Sequence, residues 1–382
     1  PSKSPFSKGR LLRIISHQKL KIKYMDVYKK WVLVCLASII LLILLVMTVN
    51  FTIDPLWCFS LSNRFNNCQE DFNERQQKIN RITFGDFSYD TLILGSSRST
   101  YINQNDFIDF HAFNCSVSSM VPSEYSVFVN YAKQKAGKDF KCIIIGMDFY
   151  GTNANLDGTK YIGGLEIAES CIKEANEPLY RYRNLASIDT LRYSLKNIKR
   201  AVKNNFADAY NRNNIKFMMM PNDAQKQSFI AEQLYIYEKI YYGVDYKYRE
   251  NLKNIFLTLK RDNPNSKIII YTTPISEPLL KLLIKQGLFK YYQRMIKDIA
   301  SIFGEVYDFM GINSITTNPD NYKDSHHFSP EVGTLMAHRV IGYKDARIPS
   351  DFGILIKKDN VDEYLKKQET RILDYFKNDA DK

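Results

Sequence analysis

Between Trp31 and Val49 the chain runs for 19 residues without a charged side chain. A helix of about 20 apolar residues is what the hydrocarbon core of a bilayer requires, because a helix satisfies its own backbone N–H and C=O groups there. The run predicts one transmembrane helix over residues 31–50. Residues 1–30 hold nine Lys or Arg (Lys3, Lys8, Arg10, Arg13, Lys19, Lys21, Lys23, Lys29, Lys30) against Asp26 alone. Basic flanks stay on the cytoplasmic side. The expectation is therefore a single-pass protein of the inner or plasma membrane, with 1–30 in the cytoplasm and everything after Val49 outside it. A cleaved signal peptide is the competing reading. Against it, the apolar run starts late and Thr48-Val-Asn-Phe-Thr-Ile53 offers no small-x-small cleavage site.

The net charge is +12, of which residues 1–30 account for +8, leaving only +4 on the rest of the chain. The basic character reports the tail, whose natural partner is the anionic bilayer surface, and gives no reason to expect a nucleic acid. Of the six cysteines, Cys35 falls in the apolar run and Cys58 and Cys68 lie in a loop-like stretch just after it. An oxidising compartment would join Cys58 to Cys68. Cys115 and Cys142 sit in apolar runs with no Cys or His at zinc spacing, so they read as buried thiols and no metal is expected.

Five short runs have the continuous β-rich apolar character of strands buried on both faces: Thr91–Leu94, Ala112–Val117, Cys142–Ile145, Lys267–Thr272 and Glu305–Phe309. Helical periodicity lies between them, in Leu252, Ile255, Phe256 and Leu259, and again in Phe289, Tyr292, Met295, Ile296, Ile299 and Phe303. Strands alternating with helices imply an α/β fold, a mostly parallel, flavodoxin-like sheet flanked by helices. The expected organisation is a juxtamembrane segment over 51–85, the α/β domain over 86–350 with a helical insertion at about 151–262, and a C-terminal helix over 351–382. The insertion is too long for one crossover and reads as a cap. It contains an amphipathic helix with Leu191, Leu195, Ile198 and Val202 on one side and Arg192, Lys196, Lys199, Arg200 and Lys203 on the other. The basic side is either a solvated face or a surface for an anionic polymer or lipid headgroups.

The strand Asp90-Thr-Leu-Ile-Leu94 runs into Gly95-Ser96-Ser97-Arg98, and far downstream stands Asp324-Ser-His-His-Phe-Ser-Pro330. A serine on a strand-to-helix turn, with a carboxylate and an imidazole three residues apart, is what acyl transfer through a serine ester needs. Residues three apart on a turn share a face, so Asp324 can hold one nitrogen of His327 while the other faces Ser97.

These blocks resemble the SGNH/GDSL hydrolase superfamily, and more closely its membrane-anchored extracytoplasmic members, among them the alginate-acetylation proteins and the D-alanyl transfer protein of teichoic acid synthesis. The resemblance covers the sheet-forming parts of 86–150 and 262–342. It implies Ser97 as nucleophile, His327 as general base and Asp324 as the residue orienting it. The second block, Phe113-Asn114-Cys-Ser-Val-Ser118-Ser119, carries Ser119 where the family usually has a glycine whose N–H joins the oxyanion hole. The third, usually Gly-x-Asn-Asp, corresponds to Gly146-Met147-Asp148, and a carboxylate there would repel an oxyanion rather than donate to it. Asp148 would then be protonated, turned away, or used to hold Arg98 or a substrate hydroxyl, and Arg98 or Asn153 would assist the backbone N–H groups of Ser97 and Ser119. No metal or organic cofactor is implied. The activity implied is a serine esterase or O-acyltransferase acting on acyl, chiefly acetyl, esters of an envelope glycan, with a polytopic acyl-donating membrane protein as partner. The alternative is a non-catalytic anchored protein that binds a glycan or such a partner.

Bland readings stand beside these. Ser97 could be a helix N-cap with Ser96 as nucleophile, His326 competes with His327, either His could cap the helix starting near Ser329-Pro330, and Arg98 is an anion clamp or an ion pair with Asp148.

Overall fold

The computed structural model describes residues 6–70, 72–157, 159, 162–205 and 208–380. Lys3 of the basic tail, Gly158 of the insertion and the last two residues lie outside them.

A mostly parallel six-stranded sheet organises the chain beyond the N-terminal helix. Its strands are β2 (Thr91–Leu94), β3 (Ala112–Asn114), β4 (Cys142–Met147), β6 (Lys267–Thr272), β7 (Glu305–Asp308) and β8 (Ile354–Lys357), in the order β3-β2-β4-β6-β7-β8. Two further short strands, β1 (Gln69–Glu70) and β5 (Ala209–Tyr210), form a separate antiparallel ribbon. All five strands predicted from the sequence are present, although β3 stops at Asn114 and β4 extends to Met147. The sixth, β8, pairs antiparallel with β7 and corrects the expectation of one helix over 351–382. Gly353, at φ 73°, turns the chain into β8, and only then does a helix begin at Val361. From β2 the chain goes out to β3 on one side and returns to β4 on the other. The carboxyl ends of β2 and β4 thus flank the crevice where open α/β sheets place their ligands.

Alternation along the strands divides the core into two layers. Leu92, Leu94, Ile143, Ile145 and Ile270 face a large cluster that includes residues of α4 (Pro122–Ala136), α9 (Leu252–Asp262), α11 (Phe289–Phe303) and α13 (Val361–Ala380). Ile93, Ile144, Ile269 and Tyr271 face a smaller one closed by Val332, Met336, Ala337 and Val340 of α12 (Pro330–Ile341). The stripe foreseen on α9 is realised by Leu252, Phe256 and Leu259, and that on α11 by Phe289, Tyr292, Met295, Ile296 and Ile299, all buried.

The N-terminal helix α1 runs unbroken from Phe6 to Ile53, 48 residues or about 72 Å. Within it Tyr24–Ile53 has a mean hydropathy of 3.2 and is long and apolar enough to cross a membrane. The helix is thus longer than the predicted span, because nothing in the basic tail breaks it. Its end is gripped by the domain. Asn50 is buried; its amide donates to the carbonyls of Leu185 and Ser187 at 2.8 and 3.1 Å, and its Oδ1 accepts from Ser194 at 2.9 Å. Asp54, one turn on, accepts the N–H groups of Cys58 and Phe59 and pairs with Arg212 at 2.5 Å.

The Cys58–Cys68 disulfide is not formed. Both thiols are free and buried, with Cys68 Sγ directed to the carbonyl of Asn205 at 3.1 Å and Cys58 Sγ to that of Leu56 at 3.7 Å. The juxtamembrane loop is closed instead by the Asp54–Arg212 pair and by the Trp57 indole N–H, which donates to Gln69.

Candidate functional site

Buried apolar β2 delivers Ser97 to the sheet's carboxyl edge through Gly95, where a side chain would collide with Ser99. Ser96 is the N-cap of the short helix α3 (Ser97–Thr100), its Oγ accepting from the Arg98 N–H at 3.3 Å. That removes the N-cap reading of Ser97. Ser96, Arg98, Ser99 and Thr100 are buried, whereas Ser97 is half-exposed. Behind the helix, Asn114 donates to the carbonyls of Ser99 and Ile102, and Ser99 Oγ meets the Tyr271 hydroxyl at 2.9 Å.

The other half of the site is a tight turn after β7, closed by the Lys323 N–H to the His327 carbonyl at 2.9 Å and anchored where Ser276 donates to the carbonyl of Ser325. Asp324 Oδ1 accepts the backbone N–H groups of His326 and His327 at 2.9 and 2.8 Å, and Oδ2 lies 2.6 Å from His327 Nδ1. On the far side of the same ring, His327 Nε2 lies 2.9 Å from Ser97 Oγ. With Nδ1–H donating to the Asp324 carboxylate, Nε2 is left as the acceptor for the serine hydroxyl. Burial opposes ionisation of Asp324, but the two imidazoles and the hydrogen bonds it accepts hold its carboxyl far below the usual carboxylate range. Ser97 Oγ, the His327 ring and the Asp324 carboxylate thus form one continuous hydrogen-bonded chain, the juxtaposition expected from the spacing. The helix that follows is capped by Ser329, with Pro330 in its first turn, so neither histidine is used as a cap.

His326 has a different place. It is buried, its ring 5.2 Å from that of Tyr237, with Nδ1 3.3 Å from Asp324 Oδ1. Burial above all, helped by His327 and Arg98, holds it well below the usual imidazole range against the pull of Asp324. It is a neutral packing partner for the carboxylate. Among the described residues, Asp324, His326 and His327 are the only cluster that could hold a metal ion. Their ligand atoms, however, are the ones already joined to each other and to Ser97.

Asp148 follows the last residue of β4 and faces Arg98, not the serine. Arg98 Nη1 lies 3.0 Å from Asp148 Oδ1, and Thr273 donates to the same oxygen at 2.5 Å. Arg98 also donates to the Tyr237 hydroxyl at 2.6 Å. Arg98 and Asp148 are thus a buried ion pair and not an anion clamp, and the anticipated repulsion of an oxyanion by an unpaired carboxylate does not arise. Asn153 is likewise not at the site. It is buried and staples the insertion, donating to the carbonyl of Tyr241 and accepting from the N–H groups of Asn155 and Lys247.

Ser119 takes φ 55°, the left-handed region that glycine adopts without strain. It is half-exposed, and no hydrogen bond donated by its backbone N–H is found among the described residues. The N–H of Ser97 opens α3 and has no acceptor inside the helix.

Two residues outside the motifs hold that loop. Glu74 accepts from the N–H and hydroxyl of Ser118 at 2.5 and 2.6 Å and pairs with Lys216 at 2.6 Å; burial opposes its ionisation, but Lys216 and these hydrogen bonds bring it down to about 2. Arg75 forks onto Glu124 at 2.7 and 2.9 Å and donates to the carbonyls of Ser118 and Ser119. The insertion rims the site as a cap would: Tyr237 reaches Arg98 and His326, and Asp208 joins the Tyr101 hydroxyl at 2.8 Å to Lys323 at 2.7 Å, with the Tyr101 ring edge-on to His327. A wide cleft lies elsewhere, between Asn313–Thr317 and α13, and shares no residue with Ser97, Asp324 or His327.

No protein-family model matches the chain, and no curated protein matches it. The functional reading therefore rests on the geometry.

Proposed function

We propose that the chain is a membrane-anchored, SGNH-like serine esterase or O-acyltransferase acting outside the cytoplasm on acyl esters, chiefly acetyl, of an envelope glycan. The observation that carries this is the half-exposed Ser97 hydroxyl 2.9 Å from a His327 imidazole whose other nitrogen is fixed 2.6 Å from a buried carboxylate. Ser97 Oγ attacks the acyl carbonyl while its proton passes to His327 Nε2. The tetrahedral intermediate collapses, the alcohol leaves with the proton from His327, and an acyl-serine remains. Water or an acceptor hydroxyl, deprotonated by the same nitrogen, then releases the acyl group. In this reading the backbone N–H groups of Ser97 and Ser119 donate to the oxyanion.

The anchor supports the site's location. A helix with eight basic residues before its apolar stretch, from Lys8 to Lys30, favours having that end in the cytoplasm. A polytopic membrane protein that exports acyl groups is the partner such a domain needs for transfer.

The test is reaction of the full chain with a fluorophosphonate. Wild type is expected to label and Ser97→Ala not to; a folded wild type that resists the probe would exclude the serine-esterase reading. A reporter fused after residue 382 is expected to be active only outside the cytoplasm.

A further inference from the structure

The helix α7 (Ile188–Lys203) is built inside out. Its buried residues are polar, Thr190, Ser194 and Asn197. Its large apolar residues face outward, with Ile188, Leu195 and Val202 exposed by 66%, 54% and 71%. On a helix turning about 100° per residue, Ile188, Leu191, Leu195, Ile198 and Val202 form one stripe. Arg192, Lys196, Lys199 and Lys203 form a second beside it, all four exposed. An exposed apolar stripe flanked by a cationic one is the pattern of a helix lying in a membrane interface.

The position of α7 fits that role. It packs against α1 where the apolar run ends: Val46 and Met47 are half-buried, and Asn50 is held by Ser194 and by the carbonyls leading into α7. The same level carries an aromatic group. Phe51 lies edge-on to Phe59 with ring centres 5.0 Å apart, Tyr182 meets Phe59 at 6.2 Å, and the Arg181 guanidinium sits 4.8 Å from the Tyr182 ring. Leu179, in the turn before, is 70% exposed. Aromatic rings with a basic neighbour are favoured at the boundary between headgroups and acyl chains.

We infer that α7 lies along an anionic bilayer surface, its apolar stripe among acyl chains and its basic stripe among headgroups, clamping the α/β domain onto the membrane. The inference rests on α1 crossing that membrane and is independent of the chemistry at Ser97.

The test uses the full chain reconstituted in vesicles of phosphatidylglycerol and phosphatidylethanolamine that contain a phospholipid with an acyl-chain diazirine. After illumination, label is mapped by mass spectrometry. Label is expected on α1 and on the outward residues of α7. Leu195→Asp, at an exposed position, is expected to remove it from α7 alone while reaction with fluorophosphonate persists. Each cation at an anionic surface strengthens contact by about fivefold, so removing the charge of Lys196, Lys199 and Lys203 together should lower the α7-to-α1 label ratio at least that much. Label on α1 without α7 overturns the proposal by itself. Label on neither helix overturns the anchor and the proposal together. In native membranes, a photocrosslinking residue at position 195 should yield no discrete protein adduct; such an adduct would assign the face to a protein partner and overturn the lipid assignment.

Discussion

Asp148→Asn separates the ion-pair role of this position from the oxyanion role implied by the family pattern. Arg98 and Asp148 are 1% and 3% exposed and 3.0 Å apart. Removing one partner of a buried pair leaves an uncompensated charge and costs about 3–5 kcal/mol. Two features reduce the loss. An asparagine oxygen still accepts from Thr273, and the Arg98 guanidinium keeps the rings of Tyr150 and Tyr237 at 5.7 and 6.0 Å, contacts that contribute roughly 0.5–2 kcal/mol. The lower end of the range, about 3 kcal/mol, is the expected destabilisation. At about 2 °C per kcal/mol for a domain of this size, the full chain in detergent should melt about 6 °C lower. Fluorophosphonate labelling should be unchanged or slower. If position 148 were the missing oxyanion donor, the asparagine would raise the rate, by as much as the 10²–10³ that one such donor contributes. A variant that melts with wild type and reacts faster would show that position 148 faces the oxyanion and not Arg98.

Two further predictions follow from the packing behind the triad. His326 is held neutral in the fold, whereas the unfolded chain protonates it near its ordinary pKa of about 6.5; the unfolded state then takes up more protons, so this stability is present above about pH 6.5 and lost as pH falls below it. Melting temperature should decline between about pH 7 and pH 5, and His326→Asn should flatten that decline; Asp324 and Glu74, both depressed, act only below about pH 4.5, and equal slopes in the two proteins would reject the assignment. Gly146→Ala places a methyl group against Ser99 Oγ and the Tyr271 ring. Overpacking of this kind costs about 1–3 kcal/mol, and because Ser99 and Tyr271 seat α3, labelling of Ser97 should slow as well; an unchanged melt and rate would show that this contact does not position the serine.

The sheet was legible because its central strands are buried on both faces and must be continuously apolar, as in Ile143-Ile-Ile145 and Ile268-Ile-Ile270. Strand β8 escaped because it is an antiparallel edge of four residues with a mixed burial pattern. The segment after α1 escaped for a different reason. Helix α2 (Glu74–Phe84) has a polar sequence, yet Glu74, Arg75, Gln76, Gln77, Lys78 and Asn80 are all buried. No periodicity distinguishes such a helix from a solvated one, because its partners, Glu124, Lys216 and Tyr210, lie far along the chain. In α7 the amphipathic period was visible in the sequence, but not which face turned inward. Three small polar residues, Thr190, Ser194 and Asn197, decide that, and they pack inward where Asn50 requires a hydrogen-bonding partner.

The site divides along the same line. The juxtaposition of Ser97, Asp324 and His327 was readable because its two halves are short local patterns, a strand ending in Gly-Ser-Ser and a carboxylate three residues before a histidine. What tunes them depends on contacts that spacing does not encode. The Asp148 carboxylate is paired with Arg98, a residue 50 positions earlier whose guanidinium is closed in by Tyr237 of the insertion. The same tyrosine packs on His326, which in turn supports the carboxylate that orients His327. The insertion is thus mechanically continuous with the triad: Tyr237 sits in a π-helical turn, Tyr237–Tyr241, whose extra residue re-aims the side chains that follow α8 (Asp223–Ile236). Resetting that turn to regular helix by deleting one residue would rotate Tyr237 off both Arg98 and His326. The loss would then appear at Ser97, although the deletion touches none of the three residues that the sequence motif names.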